Sequence, residues 1–425
     1  MKVDLLIHSA SQLLTLSGGP QRGDELGQLG IIEDGAVAIL GERVHAIGTT
    51  NELRQEFEPK ATLHAIGQVI MPGFVDPHTH LIWAGDRADE FEARASGSTY
   101  MEILSQGGGI LSTVRHTRAA EVSALIMQAR LRLNRMLSHG TTTAEAKTGY
   151  GLALEPELRM LRAILRLDEQ GPVELAPTFL PAHAVPAGVD ADIYVDQICT
   201  EMLPAAVEWW RDRRPESPLP FVDVFCEEGA FDLGQSRRLL TAASELNFPL
   251  KIHADEFASL GGTGLAIELG AVSADHLVHT PPDEIQALGK SQTVAVALPA
   301  TPFGLGETEY TPAREFLQAD ALLSIATDLN PGTAWCESMQ FVIALATRYM
   351  GLTPAQAIAA CTINAAAAIG RDQAIGSLET GKQADLLILE VDDYRHLGYR
   401  FGTNLVHTVI KKGQVVVDRR RDGFR

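Results

Sequence analysis

Apolar and polar positions alternate in one style at both ends of the chain and in another through its middle. Over the first sixty or so residues they fall in short β-type runs at 2–9 and 36–48, joined by a Gly-rich turn region at 17–30, with no helix of convincing length. The last fifty residues return to that style at 384–390 and 405–420. Two β-rich ends around a different middle predict one small β-sandwich domain assembled from residues 1–66 and 375–425, since chain ends commonly lie close together.

Between them, residues 67–374 alternate short apolar runs with longer helix-like segments such as 121–137. The runs lie at 69–78, 141–149, 174–183, 221–229, 249–256, 271–278, 293–299 and 322–330. Continuous apolar strands separated by helical patterns indicate parallel strands covered by helices, so the fold class is α/β and eight such units predict a (β/α)8 TIM-type barrel. A doubly wound open sheet is the alternative, but its Gly-rich dinucleotide fingerprint is absent.

Composition narrows the function. The chain has 425 residues, is 45% hydrophobic and 21% charged, and can bury a large core. Its net charge of −19 argues against a nucleic-acid or anionic-membrane partner, because the average field repels polyanions. Any anionic substrate then needs a local basic anchor. Cys199, Cys226, Cys336 and Cys361 form no C-x-x-C pair, so neither a disulfide framework nor a thiolate zinc site is expected and a reducing cytoplasm fits. Asp4 and His8 break any signal-peptide stretch, and no run reaches the ~18 apolar residues of a membrane helix. The expectation is a soluble, unprocessed cytoplasmic protein.

Candidate chemistry collects at one end of the strands. In such a barrel the active site lies at the C-terminal ends of the strands. The first run finishes in Asp76-Pro77-His78-Thr79-His80, where residues i and i+2 face the same side, so both imidazoles can address one ion. The fifth finishes in His253, the sixth in His276 and the eighth in Asp328. Three neutral imidazoles and a carboxylate suit zinc or ferrous iron and leave a position open for water. A lone H-x-H among 13 histidines carries little weight. A purely structural role leaves the recurrence of such groups at one end of separate strands unexplained, since burial without partners costs about 1–3 kcal/mol each.

The segments PGFVDPHTH, ATDLNPG and GSLETGKQADLLIL, with the His253 and His276 strand ends, resemble the amidohydrolase superfamily over most of the chain. Within it, HTHLIWAGDRADEFEARASGSTYMEI, GGGILSTVRHTR, TTTAEAKTGYGL, LPAHAVP, KIHADEF, SADHL and ATDLNPGT are similar to the imidazolonepropionase family of histidine breakdown. The resemblance implies hydrolysis of the ring amide of 4-imidazolone-5-propanoate to N-formimidoyl-L-glutamate by a metal-activated water. It favours a single divalent ion, zinc or iron, held by His78, His80, His253 and Asp328, and it suggests a homodimer. Two-metal members carry a lysine or substitute carboxylate at the end of the fourth strand. Here 221–229 has no lysine, Lys147 falls on the second strand, and Glu227 or Glu228 could substitute only in principle.

On this reading Asp328 takes the proton of the attacking water. Glu256 orients that water or passes the proton to the leaving nitrogen, and His276 stabilises the developing oxyanion or polarises the carbonyl. Arg87 is the candidate grip for the propionate, because a guanidinium can hold a carboxylate through two parallel hydrogen bonds. The resemblance adds Tyr150, His183, Glu256, Asn330, Gly332 and Thr333 as substrate contacts. Tyr150 could instead cap the second strand, and His183 could be a satisfied core histidine. Gly107–Gly109 could hinge a covering loop or form a plain turn. His116 and His139 are expected on the surface. A deaminase of the same superfamily shares the ligands and differs by releasing ammonia; an inactive scaffold is the rival from another class, but such relatives lose ligands that this chain keeps.

Overall fold

The computed structural model describes residues 1–97 and 108–419. Its strands are β1 Lys2–Leu14, β2 Ile31–Leu40, β3 Arg43–Thr49, β4 Glu58–His64, β5 Val69–Pro72, β6 Phe74–Asp76, β7 Thr141–Lys147 and β8 Glu174–Ala182. They continue as β9 Phe221–Cys226, β10 Lys251–Ala254, β11 Ser273–His276, β12 Val294–Ala297, β13 Leu323–Ile325, β14 Leu386–Leu389, β15 Val406–Lys411 and β16 Gln414–Asp418.

β6 to β13 form one sheet in sequence order, and every ladder in it is parallel. Its two edges meet beyond the strands proper, where Thr79 and Leu329 form a parallel bridge and His80 N–H donates to the Leu329 carbonyl at 2.9 Å. The result is a nearly closed eight-stranded barrel, the architecture expected from the eight apolar runs. Helices between the strands bury one stripe each. In Leu154–Gln170 the stripe is Leu158, Leu161, Ile164, Leu165 and Leu167, at the three- and four-residue spacing that puts side chains on one helical face. Sharp starts come from capping boxes, Asp232 with Gln235 and Thr353 with Gln356.

The two ends of the chain share the second sheet, in the order β16-β15-β14-β5-β1-β2-β3, with β4 pairing β1 as a side branch. By hydrogen bonding the expected sandwich is one continuous mixed sheet; Leu5, Ile7, Val37 and Ile39 from the N-terminal part and Leu386, Ile388 and Ile410 from the C-terminal part share one core. The short helix Thr50–Glu56, capped by Thr49 and Glu52, covers another small cluster through Leu53. The run 69–78, expected as one barrel strand, is two strands in two sheets. β5 pairs β1 and β14, whereas β6 pairs β7 in the barrel, and Gly73 between them lies where a Cβ would fall 2.3 Å from the Thr142 hydroxyl. No helix among the described residues is long and apolar enough to cross a membrane.

Candidate metal centre and substrate pocket

The barrel brings the predicted strand-end residues together. His78 and His80 follow β6, His253 lies on β10, His276 ends β11, and Asp328 follows β13. The ligand nitrogens of His78, His80 and His253 lie within 4.8 Å of one another, as do those of His78 and His276 with an Asp328 oxygen. Asp328 Oδ1 is 3.4 Å from His78 Nε2 and 3.5 Å from His80 Nε2. His253 Nε2 faces His80 Nε2 at 3.3 Å. All are buried.

These residues fit a cation by what their atoms lack. His78 Nε2 and Asp328 Oδ1 are buried without a hydrogen-bond partner, although leaving such atoms unpaired costs about 1–3 kcal/mol each. A divalent ion satisfies convergent lone pairs of this kind, and three imidazoles with one carboxylate suit zinc or ferrous iron. Burial first, then the neighbouring positive groups, hold His78, His80 and His276 far below the ordinary histidine range, leaving neutral donors. The backbone is strained at this point as well, since His276 has φ 82° and Asp328 φ 51°, a region that costs non-glycine residues about 1–3 kcal/mol.

Behind the ligands lies a charge cluster that the sequence reading missed. His78 Nδ1 donates to Asp275 Oδ2 at 2.6 Å, and His253 Nδ1 lies 2.9 Å from Asp223 Oδ2. Asp275 holds the His78 imidazole in the Nδ1–H form, which turns its Nε2 lone pair toward the centre, and the Asp223 charge beside His253 favours the same form there. Lys147 Nζ is 2.7 Å from Asp223 and 3.0 Å from Glu145, and Lys251 Nζ donates to the Pro77 carbonyl at 2.8 Å while sitting 3.0 Å from Glu145. Lys147, on the second barrel strand as expected, keeps its charge: burial opposes it, but Asp223, Glu145 and Asp275 together raise its pKa. A charged amine so engaged is a counterion, not a bridging carbamate. Glu227 spends both oxygens on backbone, accepting from Phe257 N–H and Glu228 N–H, and Glu228 is exposed, so neither offers a second bridge. The signal for the cluster was present as charged positions inside otherwise apolar strands, Glu145 and Lys147 two apart on β7 and Asp223 on β9.

Glu256 is partly buried beside the centre, its Oε2 3.5 Å from His276 Nε2. Burial, followed by repulsion from Asp328 and Glu227, raises its carboxyl well above the usual range. Burial holds Asp328 up to about 6, against the hydrogen bond from Thr301 Oγ1 at 2.6 Å. A cavity of about 260 Å³ opens past Glu256 and His276 toward Glu307 and Glu309.

His183 stacks on His80, with centroids 4.5 Å apart and planes at 10°, and Tyr150 lies 5.1 Å from His183 by ring centroids. His183 Nδ1 meets the Gly149 carbonyl at 3.1 Å and must donate to it, so Nε2 is left as an acceptor. Burial pushes His183 down to about 3, which keeps that acceptor unprotonated. Asn330 serves its own loop: Nδ2 donates to the Asp328 carbonyl and Thr333 Oγ1, and Oδ1 accepts from Gly332 and Thr333 N–H. Arg87 is not a free fork, because Nε and Nη2 both rest on Glu90 Oε2, at 2.8 and 2.7 Å, and only one edge is open. Glu90 Oε1 also accepts from Gly109 N–H at 3.0 Å. Gly109 has φ 73° and starts the helix Ile110–Ala119, while Gly107 lies outside the described residues. His116 is exposed as expected; His139 is instead half-buried where the helix Val122–Ser138 ends.

The sequence profile of the amidohydrolase family matches residues 69–416. Imidazolonepropionase of Herpetosiphon aurantiacus is 50% identical over 416 residues, 97% of either chain, and that of Chloroflexus aggregans is 50% identical over 420, 97% of this chain and 98% of its own. Among solved structures, an adenosine deaminase from Xanthomonas campestris with bound zinc superposes at TM-score 0.75 and 20% identity, covering 99% of this chain and 94% of its own. Guanine deaminase of E. coli does so at TM-score 0.70 and 15% identity, covering 97% and 99%. The deaminases share the fold, whereas the full-length relatives at half identity carry the activity. The chain therefore belongs to the amidohydrolase family and, within it, to the imidazolonepropionases, hydrolases that open a cyclic amide in histidine degradation.

Proposed function

We propose that His78, His80, His253 and Asp328 hold one divalent ion, zinc or iron, at which the ring amide of 4-imidazolone-5-propanoate is hydrolysed to N-formimidoyl-L-glutamate. The observation that carries this is the pair of buried, partnerless atoms His78 Nε2 and Asp328 Oδ1, 3.4 Å apart. An ion bound there lends Lewis acidity that makes water nucleophilic near neutral pH.

The remaining steps belong to the protein. Asp328, poised near neutrality, accepts the proton released as water adds to the carbonyl carbon. His276, a neutral imidazole, donates a hydrogen bond to the carbonyl oxygen as charge develops on it. Glu256, whose carboxyl burial pushes up, supplies a proton to the ring nitrogen as the C–N bond breaks. His183 Nε2 accepts from a substrate N–H, and Tyr150 packs beside it. Arg87 offers its open edge to the propionate, and the turn built by Asn330, Gly332 and Thr333 closes that side.

Two further assignments follow. With the units expected at 1–66 plus 375–425 and at 67–374, the pairing of β5 with β14 supports drawing the first division at Gly73. The chain works as a cytoplasmic homodimer; the four free cysteines support a reducing compartment, and sedimentation tests the dimer.

Metal analysis paired with an assay on imidazolonepropionate tests the whole reading. The expected outcome is about one ion per chain and loss of imidazolone absorbance without ammonia. Ammonia release favours the deaminase reaction, and full activity in metal-free protein overturns the assignment.

A further inference from the structure

The helix Val122–Ser138 buries an arginine that no catalytic step uses. Arg132 is 4% exposed, and among the described residues no carboxylate lies within ion-pair distance of it. Its guanidinium carbon lies 3.3 Å from the centroid of the Trp83 ring and 5.5 Å from that of Trp335, and Nη1 donates to the Leu81 and Trp83 carbonyls at 3.1 and 3.2 Å. Trp83 and Trp335 meet edge to face, 5.0 Å apart at 89°.

Burying a cation without a partner anion is unfavourable, and an apolar side chain of similar size would pack at such a position at least as well. The placement therefore calls for a reason other than stability. Arg132 joins two loops that are separated by most of the chain. Trp83 belongs to the loop after β6, four residues before Arg87, and its Nε1 donates to the Gly85 carbonyl at 3.1 Å, stiffening the approach to Arg87. Trp335 belongs to the loop after β13, three residues past Gly332. The same helix reaches that loop again through Arg135, 3.4 Å from Glu337, which also accepts from Trp335 Nε1 at 3.3 Å.

We infer that Arg132, through the Trp83–Trp335 pair, is a positioning residue that fixes the spacing between Arg87 and the Gly332 turn and thereby sets affinity for the substrate carboxylate. The inference rests on Arg87 being the carboxylate anchor. Its consequence is selective: loosening the stack changes recognition of the propionate and leaves the centre at His78 and Asp328 in place.

The test compares steady-state kinetics on imidazolonepropionate and on the same imidazolone ring without its carboxylate. The proteins are the parent, Arg132→Lys, Trp335→Leu and Arg87→Lys, each loaded with metal. For Arg132→Lys and Trp335→Leu the expected result is a KM on imidazolonepropionate raised roughly ten- to a hundredfold, with kcat retained and the preference for the carboxylated ring reduced in proportion. Trp335 is 48% exposed, so its variant decides the matter should Arg132→Lys fail to fold. If Arg87→Lys raises KM and Trp335→Leu does not, the positioning role is wrong. Equal losses on both substrates for Trp335→Leu also overturn it, in favour of a general structural role. An unaltered KM in Arg87→Lys removes the anchor itself, and this inference with it.

Discussion

The Arg87 guanidinium rests against the backbone of Gly332, where an added Cβ would lie only 2.1 Å from Nη1. Glycine at 332 is thus explained by what packs on it. Arg94 Nη2 also donates to the Gly332 carbonyl at 3.1 Å, so two arginines from the segment after β6 converge on this turn. Gly332→Ala must push Arg87 away while leaving the metal ligands untouched. The expected result is a KM for imidazolonepropionate raised about tenfold, equivalent to about 1.4 kcal/mol, with little change in kcat. An unchanged KM would show that Arg87 makes no use of this approach.

Lys147 is expected to matter for metal affinity, not for contact with substrate. It is fully buried between Asp223 and Glu145, and Asp223 in turn orients His253. Lys147→Met leaves Asp223 without its lysine and Glu145 with Lys251 alone, and removing one partner of a buried ion pair costs about 3–5 kcal/mol. Loss of a partner behind a metal ligand typically weakens the metal about ten- to a hundredfold. Competition with a chelator, read alongside thermal unfolding of the metal-free protein, separates the two effects. Full metal affinity in the variant would reduce Lys147 to a packing element.

The sequence made the barrel legible because parallel strands covered on both faces must be apolar throughout, and all eight runs hold a barrel strand. It made the ligand set legible because imidazoles and carboxylates at strand ends break that apolar pattern. The division of 69–78 was hidden because a short apolar run shows no change of partner. β5 and β6 are separated by Gly73 alone, and only pairing distinguishes them. The cluster of Glu145, Lys147, Asp223, Lys251 and Asp275 was hidden for another reason. Its charges are spread over four strands, β7, β9, β10 and β11, and full neutralisation appears only when those strands are set side by side. The Arg87–Glu90 pair is readable at helical spacing, and it takes up part of the guanidinium that the sequence alone assigns to substrate.

Docking of the terminal sheet on the barrel is expected to weaken in acid. Glu174, at the start of β8, meets Lys411 at the end of β15 at 2.6 Å and Lys412 at 3.0 Å, and Gln383 donates to it at 2.6 Å. Burial alone would raise this carboxyl, but the Lys411 charge and these hydrogen bonds outweigh it and bring it from 4.5 down to about 2. A carboxyl depressed in the folded state contributes stability above its unfolded value and loses it as pH falls from about 4.5 toward 2, about 3 kcal/mol in all. Urea unfolding at pH 7 and pH 3 should show a smaller loss for Glu174→Gln than for the parent. Identical losses would mean that Glu174 titrates alike in both states.

The clearest separation of chemistry from binding should come from Glu256 and His276, which face each other at 3.5 Å beside the ligands. Burial and the nearby Asp328 and Glu227 push the Glu256 carboxyl well above the usual range, which favours the acid form the leaving ring nitrogen needs. Glu256→Gln preserves the shape and a hydrogen-bond donor but has no proton to give, and general acid catalysis typically contributes about 10²–10⁴-fold. The expected variant holds its full metal content, binds substrate with KM changed about twofold at most, and turns over at least a hundredfold more slowly. His276→Ala should likewise keep its metal and lose turnover, because it removes a donor to the developing oxyanion, worth about 10²–10³ in kcat where such donors have been removed. If Glu256→Gln keeps its rate while His276→Ala loses it, the leaving nitrogen takes its proton from another group. In that case Asp328, which the Thr301 hydroxyl holds at 2.6 Å, is the remaining carboxyl placed to carry the proton from water to product.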